Sequence, residues 1–330
     1  MKKKLAAFLA LILLTVSLLP CAAQAENKKI NVVATIFPIY DWVREIAGEN
    51  MENINLTLLL DSGADLHNFQ PTAPDILKVA SADLFIFVGG ESDEWTEDVI
   101  ATTMNAGLRA VSLVEALGDL AKAEELVEGM EHEHEDEDGD HDHEDHDHEH
   151  ETEMDEHVWL SLRNAQALCR VISEQLCEID PDNEALYQSN LNAYEEKLSA
   201  LDQQYAEAVA ASAFDTILFG DRFPFRYLAD DYGLTYYAAF SGCSAESEAS
   251  FQTIVFLAGK VDELGLPAVM TIENPKARIA ETIVQTTKAR NQKILAMDSM
   301  QSITSREVNQ GVTYLAVMES NLEVLKQALN

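Results

Sequence analysis

Two groups of histidines give this sequence its metal-binding chemistry: a dense run in mid-chain and two isolated residues outside it. Between Glu131 and Glu156 the run combines seven histidines with sixteen acidic residues and contains no Lys or Arg. Imidazole binds zinc, copper and nickel, and carboxylates attract divalent cations. A solvated acidic linker is the simpler alternative, but the H-x-H and H-x-x-H spacing favours a disordered, metal-binding run. Its histidines are His132, His134, His141, His143, His146, His148 and His150.

The two remaining histidines, His67 and His157, lie in patterned sequence. Three acidic residues, Asp221, Glu273 and Asp298, come just after predicted strands. Ligands gather at the carboxyl ends of strands in open parallel sheets, so these side chains are expected to converge. Each residue alone is more typical of a helix cap. Together, two histidines and several carboxylates predict a four-coordinate metal site between two lobes.

The hydrophobic pattern predicts the framework that must position these side chains. Short β-branched runs alternate with helical patterns on both sides of the histidine-rich run, which is typical of parallel α/β lobes. Residues 182–211 contain no Gly or Pro and predict one amphipathic helix about 45 Å long. The predicted strands are 30–35, 54–60, 84–88, 110–113, 216–220, 234–238, 268–272 and 293–297. The predicted helices are 38–47, 74–80, 94–106, 164–179, 182–211, 223–230, 248–264, 276–289 and 308–329.

We therefore predict an α/β protein with two Rossmann-like parallel-sheet lobes joined by one long rigid helix. The expected division is an export signal at 1–25, a first lobe at 26–181 with a metal-binding loop at 127–156, a linker helix at 182–212 and a second lobe at 213–330. Three lysines followed by a short apolar run indicate the signal and hence an extracytoplasmic location, in a periplasm or at a cell surface. Cleavage after Ala25 is favoured over lipid attachment at Cys21.

Charge and cysteine content narrow the classes of function. The net charge of −36 argues against nucleic acid and anionic membrane surfaces as partners and suits cations. Three cysteines remain once Cys21 leaves with the signal, which excludes a complete disulfide framework. Cys169 and Cys177 are eight residues apart on one predicted helix, about 12 Å along its axis, which is too far for a disulfide. These cysteines are expected to be buried thiols.

Two motifs, one that contains His67, Phe69 and Pro71 and one at 155–161 that contains His157, resemble those of the solute-binding proteins of zinc and manganese ABC transporters. The pattern P-H-x-F-x-P-x-P-x-D is similar to a stretch that contains His67, Phe69, Pro71, Pro74 and Asp75. The pattern D-P-H-x-W-L-S-P is similar to D-E-H-V-W-L-S at 155–161, just after the histidine-rich run. The resemblance covers essentially the whole mature chain. It implies one metal ion between two lobes, with His67, His157 and Asp298 as ligands.

The chain departs from this family pattern most seriously at the third ligand. The histidine of the family's H-D-A-F-x-Y stretch aligns with Gly220, which has no side chain, so Asp221 is the predicted substitute. A helix cap or an ion pair with Arg222 is the alternative role for Asp221. The other candidate ligands are Cys243, Glu246, Glu248 and Glu273, and Cys243 is more often an inert thiol. Three family prolines are also replaced, by Leu66, Glu156 and Leu162.

The leading hypothesis is a monomeric extracytoplasmic receptor that captures Zn²⁺ and delivers it to an ABC-transporter permease. Two imidazole nitrogens with carboxylates suit zinc, and the share of oxygen donors leaves Mn²⁺ or Fe²⁺ open. A metallohydrolase would need an open coordination position and a general base, and the sequence has neither an H-E-x-x-H helix nor a nucleophile elbow, so no enzymatic activity is expected. A metal-binding adhesin or a metal buffer is the other alternative.

Overall fold

The computed structural model describes residues 29–130, 153–244, 248–273 and 277–330. The expected export signal with Cys21, the seven histidines of the run and Glu246 lie outside these residues. Across the described ranges, no helix is both long enough and apolar enough to cross a membrane.

The first sheet has four parallel strands in the order β2-β1-β3-β4. Val32 of the central strand pairs with Leu56 on one side and Leu84 on the other. Strands of a parallel sheet are covered on both faces, which explains their nearly continuous apolar sequence. The strands are β1 (Ile30–Ala34), β2 (Ile54–Leu58), β3 (Leu84–Phe87) and β4 (Arg109–Ser112). The helices of this half are α1 (Phe37–Ala47), α2 (Ala73–Ala80), α3 (Trp95–Thr102) and α4 (Leu113–Leu117).

The second sheet repeats this order as β6-β5-β7-β8, again with parallel strands. In each sheet, therefore, the carboxyl ends of the strands and the residues that follow them lie along one edge. The strands are β5 (Thr216–Arg222), β6 (Thr235–Phe240), β7 (Ala268–Thr271) and β8 (Lys293–Ala296). The later helices are α5 (Leu162–Ile179), α6 (Glu184–Ala210), α7 (Arg226–Tyr232), α8 (Phe251–Leu264), α9 (Arg278–Thr286), α10 (Ser305–Asn309) and α11 (Tyr314–Ala328).

The long helix α6 connects the two halves of the chain. Its 27 residues span about 40 Å at 1.5 Å per residue. Tyr187, Tyr194 and Tyr205 are buried along one side, and the Tyr205 hydroxyl donates a hydrogen bond of 2.6 Å to the carbonyl of Met318 in α11. Two parallel α/β lobes with a long helix between them are the architecture that the sequence predicts, and this prediction is confirmed.

The structure differs from the predicted elements where a local turn interrupts the helical pattern. The helix expected at 308–329 is split into α10 and α11, because Gly311 has a φ of 91° and the Thr313 side chain caps the new helix at the backbone N–H of Ala316. The helix expected at 94–106 ends at Thr102, since Thr103 is extended.

The last residues of the acidic run belong to the folded structure. Met154 pairs with Ala123 in an antiparallel bridge, and the backbone N–H of Asp155 donates to the carbonyl of Lys122 at 2.8 Å. Asp155 and Glu156 are only 2% and 1% exposed. The range 127–156 expected for a disordered loop therefore extends too far at its end, because backbone pairing and burial fix residues 153–156.

Candidate metal centre

His67 is positioned by a short turn that follows β2. Leu66, His67 and Asn68 form a single 3₁₀ turn, and the Asp65 side chain caps it by accepting a hydrogen bond of 3.1 Å from the backbone N–H of His67. Leu66 is fully buried and anchors the turn in the core of the first lobe. The imidazole is therefore held at the carboxyl edge of the first sheet.

His157 is positioned by the packed segment that comes before α5. The Asp155 carboxylate accepts from the backbone N–H of His157 at 2.9 Å and lies 3.0 Å from its Nδ1. Val158, Trp159 and Leu160 follow with no exposed surface. The indole N–H of Trp159 donates to the carbonyl of Ser299 at 2.8 Å, which ties this segment to the second lobe.

The two imidazoles face each other through their Nε2 atoms, which are 3.1 Å apart. On the far side of the His67 ring, Nδ1 lies 2.8 Å from Ser92 Oγ and 3.5 Å from Glu156 Oε2. Asp155 occupies the corresponding place beside Nδ1 of His157. Acids behind both rings orient them as in carboxylate–histidine–metal sites, with the two Nε2 atoms turned toward each other.

Burial keeps His67 in the form that binds metals. Desolvation, together with the neighbouring His157, lowers the pKa of His67 to about 3, so this ring is neutral at physiological pH. Burial also raises the pKa of Glu156 to about 7. A neutral imidazole has a free lone pair, which a metal ligand requires.

Cys243 is the third potential ligand at this centre. Its Sγ and one ring nitrogen from each of His67 and His157 all lie within 4.8 Å of one another. Among the residues that the structure describes, this is the one cluster of three or more His, Cys, Asp or Glu side chains at such distances. Burial, followed by the nearby Glu124 carboxylate, raises the pKa of the Cys243 thiol. The cluster thus combines nitrogen and sulfur donors.

The structure does not bring Asp221 to the two histidines. Its Oδ2 accepts a hydrogen bond of 2.6 Å from the Thr271 hydroxyl of β7, and its Oδ1 accepts from the backbone N–H of Arg222 at 2.9 Å. Arg222 forms an ion pair with Asp65 of the first lobe instead of with Asp221. Asp221 therefore supports the second sheet and stays outside the cluster of His67, His157 and Cys243.

Asp298 and Glu273 form an acidic pair outside this cluster. The Glu273 carboxylate accepts from the backbone N–H of Ser299 at 2.7 Å and from its hydroxyl at 2.6 Å. Asp298 accepts from the backbone N–H of Met300 at 2.8 Å, and burial and the charge of Glu273 raise its pKa to about 6. The remaining acidic candidate, Glu248, is exposed.

Several residues around the centre were not predicted as functional from the sequence. Ser92 has no motif that marks it, and Glu156 is visible only as the residue that replaces a family proline. Gln301 is buried beside the centre. When its side-chain amide is oriented so that the nitrogen lies 3.0 Å from Asp65 Oδ1, its oxygen lies 2.9 Å from His157 Nε2. Asp155 could have been found, because an acid two residues before a ligand histidine is well placed to accept from it.

Comparisons with known proteins show the family to which the chain belongs. The family described as "ZnuA: Zinc-uptake complex component A periplasmic" matches residues 32–328. Over 311 residues the chain is 32% identical to the zinc-binding lipoprotein AdcA of Streptococcus pneumoniae serotype 4, covering 94% of this chain and 58% of that protein. Over 308 residues it is 30% identical to the high-affinity zinc uptake system protein ZnuA of Bacillus subtilis, covering 93% and 90%.

The fold comparison gives the same result. The crystal structure of the Zn(II)-bound ZnuA-like domain of S. pneumoniae AdcA aligns with a TM-score of 0.69 at 27% identity, covering 91% of this chain and 99% of that one. The chain spans only 58% of the length of the AdcA protein that it matches, whereas it covers nearly all of this domain.

Proposed function

Because this chain belongs to the ZnuA family of zinc-uptake components, we propose that it captures Zn²⁺ outside the cytoplasm and delivers it to the permease of an ABC transporter. The names of the relatives support zinc as the cargo, since one is a zinc-binding lipoprotein and another a zinc uptake system protein. The partners that follow from this role are the divalent ion and the membrane permease, and we propose that the receptor acts as a monomer.

The paired imidazoles carry this proposal. In a tetrahedral zinc site with Zn–N bonds of about 2.0–2.1 Å, two ligand nitrogens are about 3.4 Å apart. The Nε2 atoms of His67 and His157 are 3.1 Å apart, so a small outward movement of the rings would admit the ion between them. The acids behind the rings, Asp155 and Glu156, would also balance part of the charge of the cation.

The enclosure of the centre supports binding without catalysis. The His67 side chain is 5% exposed and His157 has no exposed surface. A catalytic zinc site keeps a coordination position open to water and substrate, whereas buried ligands suit an ion that is carried unchanged. Zn²⁺ is the cargo that we propose, and Mn²⁺ or Fe²⁺ would compete less well for nitrogen ligands.

Zinc titration of the mature chain against a competing chelator tests the function. His67→Ala and His157→Ala should each weaken the tightest site by on the order of 100-fold or more, since loss of a ligand should cost at least as much as loss of an outer-shell partner. His134→Ala, in the histidine-rich run, is the matched control and should leave the tightest site unchanged. If either His67→Ala or His157→Ala keeps the wild-type dissociation constant for zinc, the two histidines do not form the zinc site.

A further inference from the structure

The second lobe cannot place a side chain at the position where the family resemblance expects a histidine. A Cβ atom at Gly220 would lie 2.5 Å from Cα and 2.7 Å from the backbone nitrogen of Ala280 in α9. The atoms that the Cβ would meet belong to the backbone of Ala280, so rotation of a flexible side chain cannot relieve the overlap. The next residue, Asp221, is already hydrogen bonded to Thr271. A donor from the second lobe must therefore come from a different strand end.

Building on the proposed function, we propose that Cys243 supplies this donor and that Zn²⁺ is held by two imidazole nitrogens and one thiolate sulfur. Cys243 follows β6, the strand that pairs with β5 at the carboxyl edge of the second sheet. Its Sγ lies within 4.8 Å of a ring nitrogen of His67 and of His157. With a Zn–S bond of about 2.3 Å, a tetrahedral site places sulfur and nitrogen about 3.5 Å apart, so the sulfur has to move by about 1.3 Å at most to reach this distance.

The backbone around Cys243 is built to hold this position. Gly242 packs directly on the second imidazole: a Cβ there would lie 3.0 Å from both Cε1 and Nδ1 of His157. The backbone N–H of Cys243 donates a hydrogen bond of 3.0 Å to Glu124 Oε1 from the first lobe. The packing of Gly242 on the His157 ring and the hydrogen bond to Glu124 thus hold Cys243 in place from two sides.

A thiolate in the ligand set has a definite consequence for metal selection. As the Zn–S bond forms, the thiol proton leaves to solvent and the oxidation states of zinc and sulfur do not change. Thiolate is a soft donor that favours Zn²⁺ and Co²⁺ over Mn²⁺. The centre should therefore discriminate more sharply against manganese than the site of two nitrogens and two carboxylates that the sequence predicts.

Cobalt(II) titration of the mature chain tests the sulfur ligand directly. Sulfur bound to Co²⁺ gives an intense near-ultraviolet charge-transfer band, whereas nitrogen and oxygen donors do not. The histidine-rich run contains no cysteine, so the run can stay in place. Wild type should develop the band with the first equivalent of Co²⁺, and Cys243→Ser should lose it. The matched control is Cys177→Ser, since Cys177 is a partly exposed thiol on α5 and outside the cluster.

Zinc affinities of the same variants separate this inference from the proposed function. Cys243→Ser should weaken the tightest zinc site by on the order of 100-fold and reduce the preference for zinc over manganese, while Cys177→Ser and Asp221→Ala should match wild type. Two results would overturn the thiolate ligand: wild-type zinc affinity in Cys243→Ser, or no sulfur band in the wild type. In either case the proposed function would stand if His67→Ala still weakens zinc binding. Absence of a tight zinc site in wild type overturns the function itself.

Discussion

The two lobes share one strand order but reach the metal centre by different means. In the first half of the chain, His67 and His157 sit on short turns and are each oriented by an acid behind the ring. In the second half, the residue of β5 that the family resemblance aligns with a ligand is a glycine packed on α9, and Cys243, just beyond the neighbouring strand β6, reaches the two histidines instead. The comparison shows that a common topology fixes where ligands gather, while local packing decides which residue provides them.

The largest expected effect comes from forcing the second lobe to follow the family pattern. Gly220→His should destabilise the protein by about 3 kcal/mol or more, because its Cβ would overlap the backbone of Ala280. The variant should not gain zinc affinity. Thermal unfolding and zinc titration measure the two effects, with Gly259→Ala in α8 as the control, because a Cβ there meets no atom within 4 Å and its φ is not positive. A stable Gly220→His protein with tighter zinc binding would mean that this strand end accepts a ligand after all.

The acids behind the imidazoles, above all Asp155, should have the next largest effect on zinc affinity. Asp155→Asn should lower zinc affinity by about 10- to 100-fold, because the Asp155 carboxylate orients His157 through both its backbone N–H and Nδ1. Chelator competition gives the affinity, and circular dichroism checks the fold. Equal affinities for Asp155→Asn and wild type would show that packing alone orients the ring.

Glu156 should matter less than Asp155, although it also lies behind a ring. Its Oε2 is 3.5 Å from Nδ1 of His67, while Ser92 Oγ is closer at 2.8 Å, and a glutamine keeps an oxygen that can accept from the backbone N–H of Ser92 as Glu156 Oε1 does. Glu156→Gln should therefore reduce zinc affinity by about 10-fold or less. A loss as large as that of Asp155→Asn would assign Glu156 the main role in orienting His67.

The smallest effect on the tight site is expected from the histidine-rich run. Deletion of residues 131–152 should leave the affinity of the centre unchanged and remove weaker ions, which equilibrium dialysis with elemental analysis can count. Deletion of 131–156 is the informative contrast, because it also removes the buried Asp155 and Glu156 and should abolish tight binding. If both deletions bind zinc equally well, the acids behind the histidines are dispensable.

The fold and the two histidines could be predicted from the sequence because each leaves a local signal. Buried parallel strands appear as short apolar runs, and all eight predicted strands are present. The direction of the Asp221 side chain could not be predicted from the sequence. The pairing of β5 with β6 shifts register between Phe219 and Arg222, and such a shift changes the face of the sheet to which side chains point. Cys243 has no spacing signal, because strand pairing alone brings it to His67.

The facing imidazoles have a consequence for hydrogen positions. Two nitrogen lone pairs at 3.1 Å repel each other, so in the metal-free protein at least one of the two Nε2 atoms carries a hydrogen. An arriving cation needs both lone pairs, and that hydrogen must leave. For His67 it can move to the opposite ring nitrogen, where the Ser92 hydroxyl, 2.8 Å away, can rotate from donor to acceptor. Binding of the cation would then change the tautomer of His67. The Ser92 hydroxyl would rotate at the same time, from donating a hydrogen bond to Nδ1 to accepting one from it.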